Sequence, residues 1–312
     1  MSPERHAPTT VLPVITTGAE LGARLDAARA DGRGVGLVPT MGALHRGHGE
    51  LIRRAADQCD LTVVSVFVNP LQFGTGEDFE AYPRDLAADA DLAARAGADV
   101  VFAPPVEEMY PRPIKTTVHV DDLTTVLEGA FRPGHLDGVA TVVAKLFALT
   151  GRCRAYFGEK DWQQLAVVRR MASDLSMPVE VIGCPTAREA DGLALSSRNV
   201  YLTPAEREVA PLIHTALQAG ARMVADGETD PVTISSVMVS VLATEPAFDL
   251  HYAVAVDPSS LLGPPTFDPG DDVRLLVAAR LGRARLIDNA GAVVGLPQNP
   301  NDRKADPTCA GA

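Results

Sequence analysis

Cysteine is scarce in this chain. Four cysteines (Cys59, Cys153, Cys184 and Cys309) are scattered over 312 residues with no CxxC pair. That excludes a disulfide framework and a cysteine metal cluster, and fits free thiols in a reducing cytoplasm. Basic residues are also in deficit: 28 Lys and Arg stand against 40 Asp and Glu, a net charge of −12. Nucleic acid is therefore not expected as the main partner, although a local cluster of Lys, Arg and His still suits a small anion. No apolar run is long enough to span a bilayer. The opening "MSPERHAPTT" lacks the basic-then-apolar pattern of a signal peptide. Internal repeats are missing as well. What remains is 46% hydrophobic residues, enough for a substantial core, in a length that suits two domains.

Along the first part of the chain, apolar runs alternate with amphipathic stretches. A capping-box pair, Thr17 and Glu20, opens a helix that stops near Gly32. The strands "GVGLVP", "LTVVSVFV", "DVVFAP", "RAYFG" and "VEVIGCP" are interleaved with helical segments such as "DLAADADLAARAG", "LDGVATVVAKLFALTG" and "EKDWQQLAVVRRMASDL". Continuous apolar strands separated by helices predict an α/β fold with a doubly wound, Rossmann-like parallel sheet over residues 1–186. Ligands in that class sit at the carboxyl ends of the strands. After residue 186 the rhythm changes. A second capping box, Thr203 to Glu206, starts helices, and "HYAVAVDP", "VRLLVAARL" and "ARLID" read as antiparallel strands. These predict a smaller α+β lid domain over 187–290. Residues 291–312, rich in Pro, Asn and Asp, read as a disordered tail.

The chemistry concentrates at junctions where strand meets helix. In "VGLVPTMGALHRGHGELIRRA", starting at Val35, a buried strand runs into a small-residue turn, then His45, Gly47 and His48, then an apolar helical stripe. A helix start presents unpaired N–H groups and favours phosphate. Gly42 and Gly47 would leave room for a nucleotide against the backbone, and His45 and His48 would add donors. There is no Walker lysine, so this is not a P-loop. Zinc is disfavoured, because no glutamate lies between the histidines on an established helix. Two histidines alone would more often be exposed or capping residues; the strand–turn–helix setting favours phosphate. In "FGEKDWQQ", Lys160 and Asp161 fall in the first turn of the next such helix. The acidic residues suit the helix dipole, but the lysine opposes it unless an anion is bound. "LSSRN" reads by itself as a turn, or as hydroxyls and a guanidinium gathered around polyphosphate. "NPLQF" places Gln72 just past a strand's carboxyl end, a loop amide if not a ligand.

Taken together, "PTMGALHRGH", "FVNPLQF", "YFGEKDWQQL" and "READGLALSSRNVYL" resemble the pantothenate synthetase (pantoate–β-alanine ligase) family of the HxGH nucleotidyltransferase superfamily. The resemblance runs from about Val11 to about Ile287. It implies a cytoplasmic, homodimeric ligase of pantothenate biosynthesis that uses ATP and Mg²⁺ to join pantoate to β-alanine. By motif, it implies that Met41, Gly42, Ala43, Leu44, His45, Arg46, Gly47 and His48 bind ATP, His48 having the catalytic role. It further implies that Gly158, Glu159, Lys160 and Asp161 hold ribose and phosphates. Ala187, Leu195, Ser196, Ser197 and Arg198 would close over ATP from the second domain. Gln72 and Gln164 would hold pantoate, with Gln72 also lining the amine site, and Asp89 would lie near the metal. His45, Lys160 and Arg198 join His48 as the groups expected to stabilise charge in the reaction. The chain departs from the family pattern at Arg46, Gly49, Trp162 and Leu195. Two other readings stay open at this point: an HxGH enzyme that adenylylates a different small acid, and a non-catalytic nucleotide-binding protein.

Overall fold

The computed structural model describes residues 12–74 and 79–296. The chain divides into two compact units, Met1–Tyr201 and Leu202–Ala312. In the first, β1 (Val14–Ile15), α1 (Gly18–Ala30), β2 (Val35–Thr40), α2 (Arg46–Gln58), β3 (Leu61–Val66), α3 (Leu86–Arg95) and β4 (Val100–Phe102) follow one another. Two short helices, α4 (Val106–Met109) and α5 (Glu128–Phe131), lead to α6 (His135–Thr150), β5 (Cys153–Gly158), α7 (Trp162–Asp174) and β6 (Val179–Cys184). All six strands are parallel, in the order β1-β4-β3-β2-β5-β6.

The apolar runs explain this sheet. Leu37, Val38, Val63 and Val64 are fully buried, so both faces of β2 and β3 need covering, and helices supply it. Ile52 and Ala55 of α2 share one core cluster with Val38, Val64, Val101 and Ala93. Thr17 opens α1 as expected, its hydroxyl accepting from Glu20 N–H at 3.3 Å. From β2 the chain winds outward through β3 and β4; β5 and β6 wind the other way. The strand order therefore reverses between β2 and β5, and a ligand crevice is expected beyond their carboxyl ends.

The second unit holds α8 (Pro204–Val209), α9 (Leu212–Ala225), α10 (Pro231–Leu242) and the antiparallel strands β7 (Phe248–Val256), β8 (Asp272–Leu281) and β9 (Ala284–Val293), ordered β7-β8-β9. The capping box is present in full: Glu206 N–H donates to Thr203 Oγ1 at 3.3 Å and Thr203 N–H to Glu206 Oε2 at 2.8 Å.

Two boundaries differ from the sequence-based ones. The division falls after Tyr201, not after residue 186. The polar stretch between forms a small hairpin of the first unit: Leu195 N–H donates to Ala187 O at 2.9 Å and Glu189 N–H to Leu193 O at 2.8 Å. A tail beginning at residue 291 is also corrected. β9 continues to Val293, Val294 is 2% exposed, and Gly295 N–H donates to Val224 O at 3.0 Å. Long strand pairing with β8 outweighs the breaker-rich composition there. The rest of the expected tail, residues 297–312, lies outside the described residues.

Gly49 sits inside α2 with ordinary helical backbone, and the nearest atoms to a Cβ there would be Arg53 Nη1 at 3.4 Å and Leu92 Cδ2 at 3.7 Å, both in ordinary contact on side chains. Gly49→Ala is expected to raise stability by ~0.5–1 kcal/mol, the cost of glycine in a helix interior. A denaturation midpoint equal to or below that of the parent would refute this.

Candidate active site

The loops that leave β2, β3, β5 and β6 at their carboxyl ends carry the residues singled out in the sequence. The β2 loop leads through Met41–Leu44 into α2, whose N-cap is His45. The two imidazoles cap this helix. Gly47 N–H donates to His45 Nδ1 at 3.1 Å, and His45 N–H donates to His48 Nδ1 at 3.2 Å. The rings lie 4.1 Å apart between centroids. An Nδ1 that accepts a backbone N–H leaves the ring proton on Nε2. Burial, and then the neighbouring His45, push the pKa of His48 down to about 3. His45 is lowered too, by burial first and by Lys160 second. Both rings are thus neutral near pH 7, each with its Nε2–H as the donor.

The glycines answer to a different need from the expected one. A Cβ on Gly47 would stand 3.0 Å from the His45 ring, so the missing side chain lets that imidazole fold back over its own helix. At Gly42, where φ is +85°, a Cβ would stand 2.8 Å from Asp89 Oδ2. Protein, not open space, fills both gaps. Asp89 is 3% exposed, and its oxygens accept from Ala43 N–H at 3.1 Å and Leu44 N–H at 2.7 Å. Burial raises its pKa while these two bonds lower it.

Beside this loop, Gln72 ends a single turn of 3₁₀ helix, Pro70–Gln72, and is 7% exposed. Its Nε2 donates to Met41 Sδ at 2.8 Å, which brings the two loops together. Behind it sits a support that sequence reasoning did not find. Asn69 Nδ2 donates to Gln72 Oε1 at 3.1 Å and to Gly138 O at 3.0 Å; Asn69 Oδ1 accepts from Tyr110 Oη at 2.9 Å. Burial pushes the Tyr110 pKa up to about 12, so it stays a donor. His135 donates through Nδ1 to Gln72 O at 2.8 Å and receives Arg132 Nη1 on Nε2 at 3.1 Å. Asn-Pro before a turn was the one sequence signal for this support; Tyr110, His135 and Gly138 come from elements distant in the chain.

At the β5 junction, a second 3₁₀ turn, Glu159–Asp161, precedes α7. Lys160 Nζ lies 3.6 Å from Asp161 Oδ1 and is 17% exposed. Both groups act on the His45 and His48 equilibria, which places them around the same space. A Cβ on Gly158 would meet nothing within 4 Å, so its backbone does border open space. Gln163 and Gln164 have separate fates. Gln163 is buried and bonds Glu128 N–H, Leu123 O and Val126 O, whereas Gln164 is half-exposed.

After β6, the hairpin carries Ala187 to 3.7 Å from where a Gly47 Cβ would be. Arg46 Nη2 donates to Arg188 O at 2.7 Å and lies 3.7 Å from Glu189 Oε2. Ser196 Oγ accepts from Arg198 N–H at 3.2 Å, and Ser197 opens a 3₁₀ turn running to Tyr201. Ala187 and Leu195–Arg198 therefore belong to the same unit as the histidines, not to a second domain. Among the described residues, no group of three or more His, Cys, Asp or Glu side chains is placed to hold a metal ion.

The pantoate-beta-alanine ligase family model matches residues 13–291, covering every loop just described. The chain belongs to that family. Among relatives within the pantoate-beta-alanine ligase family, a pantothenate synthetase of Sinorhizobium medicae is 52% identical over 275 residues, 88% of this chain and 94% of that protein. One from Aquifex aeolicus is 49% identical over 84% of this chain and 92% of its own length. A crystal structure of pantothenate synthetase from Thermus thermophilus matches at a TM-score of 0.84 and 50% identity, covering 91% of this chain and all of that one. The pantoate-beta-alanine ligase of Francisella tularensis, crystallised with a β,γ-ATP compound and β-alanine, matches at 0.72 and 31% identity, over 89% of this chain and 97% of its own.

Proposed function

We propose that this protein condenses pantoate with β-alanine at the expense of ATP, through a pantoyl adenylate, releasing AMP and pyrophosphate. One observation carries the reading. A pair of neutral imidazoles stands at the point where strand order reverses, Nδ1 atoms engaged, facing Lys160. Such rings cannot serve as a base through Nδ1, and the first step needs none, because a carboxylate is already ionised at pH 7. What the step needs is stabilisation of charge growing on the α-phosphate as the pantoate oxygen attacks. His45 and His48 supply Nε2–H donors, and Lys160 and Arg198 supply positive charge. Gly158–Asp161 and Ser196–Arg198 line the nucleotide. Gln72 and Gln164 suit the hydroxyls and carboxylate of pantoate. In the second step the neutral amine of β-alanine attacks the acyl carbon, and AMP departs with the oxygen that joined acyl group to phosphorus.

Mg²⁺ is read as arriving on the ATP phosphates, since the described side chains form no cage for a resident ion. Its chemistry there is neutralisation of phosphate charge. Asp89, expected near the metal, has both oxygens on backbone N–H groups. No helix among the described residues is long and apolar enough to cross a membrane. Action in the cytoplasm, as a homodimer, follows from the sequence resemblance; Cys59, Cys153 and Cys184 stand as free thiols, in keeping with a reducing compartment.

Pyrophosphate should exchange into ATP when pantoate is present and β-alanine is withheld. ¹⁸O placed in the pantoate carboxylate should finish in AMP. Label found in pyrophosphate or phosphate, or exchange that ignores pantoate, would overturn the adenylate route.

A further inference from the structure

Five backbone donors of the turn between β2 and α2 are already committed. Gly42 N–H donates to Thr40 Oγ1 at 3.2 Å, Ala43 N–H to Asp89 Oδ2 at 3.1 Å and Leu44 N–H to Asp89 Oδ1 at 2.7 Å. His45 N–H and Gly47 N–H go to the two imidazoles. This turn is therefore not a nest of open amides, the device by which glycine-rich loops ordinarily hold phosphate. Its outward donors are the side-chain Nε2–H groups, and their aim depends on how the turn is fixed.

Asp89 supplies two of those anchors, from the first turns of α3, and its side chain is almost wholly enclosed. Ala43, the residue it grips, has φ of +51°, a left-handed conformation that costs a non-glycine residue about 1–2 kcal/mol. Two N–H donors converging on one carboxylate, each bond charge-assisted, are the forces that hold it there. The absent side chain of Gly42 lets the carboxylate approach.

We propose that Asp89 is a positioning residue. Its carboxylate sets the Gly42–Leu44 turn before nucleotide arrives, and through that turn aims Met41 and the Nε2–H groups of His45 and His48 at the reacting phosphate. The idea rests on the adenylate-forming reading above. It differs from a metal-ligand role, in which an Asp89 oxygen would face the phosphates instead of the loop amides.

An amide isostere separates the possibilities. Asparagine has one acceptor where aspartate has two, so Asp89→Asn sets an NH₂ group against one of the buried N–H donors. The pantoate-dependent exchange rate of the parent protein tests the underlying reading; the ratio of variant to parent tests Asp89. Asp89→Asn should lower kcat/KM for ATP in that exchange by about 10–100-fold, as misplacement of the catalytic groups by an ångström does. Most of the loss should appear in kcat, and the Mg²⁺ concentration giving half-maximal rate should not move. Hydrogen exchange followed by mass spectrometry gives a second readout, independent of activity. Residues 42–44 should be protected in the nucleotide-free parent protein and lose that protection in the variant, while α3 keeps its own. An unaltered kcat/KM overturns the proposal. So does a raised Mg²⁺ requirement with loop protection intact, or rapid exchange at 42–44 in the nucleotide-free parent. The last measurement decides the matter even where the variant does not fold.

Discussion

His48→Ala lowers kcat by about 10²–10³-fold, the usual loss when one donor to developing oxyanion charge is removed, and leaves the fold standing. The ring sits at the third residue of α2, outside the apolar cluster under the helix. Its removal frees the His45 N–H, so a stability loss of roughly 0.5–2 kcal/mol accompanies it, as for other lost caps. The pH dependence carries a sign. In the unfolded chain the ring takes up its proton near pH 6.5, in the folded protein only near about 3. Between those values the unfolded state holds more protons, so the contribution of His48 to stability is complete above about pH 6.5 and is lost as pH falls towards 3. Activity should show no ascending limb near 6.5 belonging to this ring. Steady-state kinetics of the variant, with circular dichroism to verify folding, settles the first part. Turnover within tenfold of the parent would remove His48 from the mechanism. A pH–rate limb near 6.5 that vanishes in the variant would show instead that the ring works in its charged form.

Gly138→Ala produces the other large effect, although Gly138 meets no substrate in the proposed mechanism. A Cβ at this position on α6 would stand 2.2 Å from Leu71 O and 2.7 Å from Gln72 N. Both are backbone atoms, so no side chain can swing aside; the 3₁₀ turn bearing Gln72 must move. Overpacking of this kind costs about 1–3 kcal/mol. Displacing a binding amide by an ångström costs about 10²-fold in rate. We expect kcat/KM for pantoate to fall by about that factor, with the KM for ATP changed far less. Equal kcat/KM values for pantoate in parent and variant would show that the turn tolerates the shift.

Gly138 also shows where reading the sequence stops. Its neighbours give a clean helical stripe, and within that stripe a glycine looks only like a mild defect. Nothing in "LDGVATVV" says that another loop presses on it, since the partner lies some 66 residues earlier in the chain. Five strands of the parallel sheet were legible because each announces itself locally as a continuous apolar run bounded by turn residues; the edge strand β1, only Val14–Ile15, gives no such run and escaped. The histidines were legible because strand, turn and helix follow without a break. The contacts of Gly42 and Gly47 were not: a glycine reports that space is needed without naming what fills it. The unit boundary escaped for a similar reason. Polar composition marks a loop, but the bonds between Ala187 and Leu195 fold it into a hairpin and the bond from Arg46 to Arg188 O ties that hairpin to the first unit, and composition is blind to such pairing.

The committed amides of the β2–α2 turn bear on what an inhibitor of this site should look like. An anionic group designed to settle among backbone N–H donors would have to break hydrogen bonds that already exist, and would recover no more than it displaced. With their Nδ1 atoms engaged, the two imidazoles present Nε2–H as the donor. A compound that offers a neutral acceptor to each ring, 4.1 Å apart in centroid, would meet imidazoles that burial keeps neutral near pH 7. Its affinity should then vary little with pH, unlike that of phosphate mimics whose own ionisation changes near neutrality.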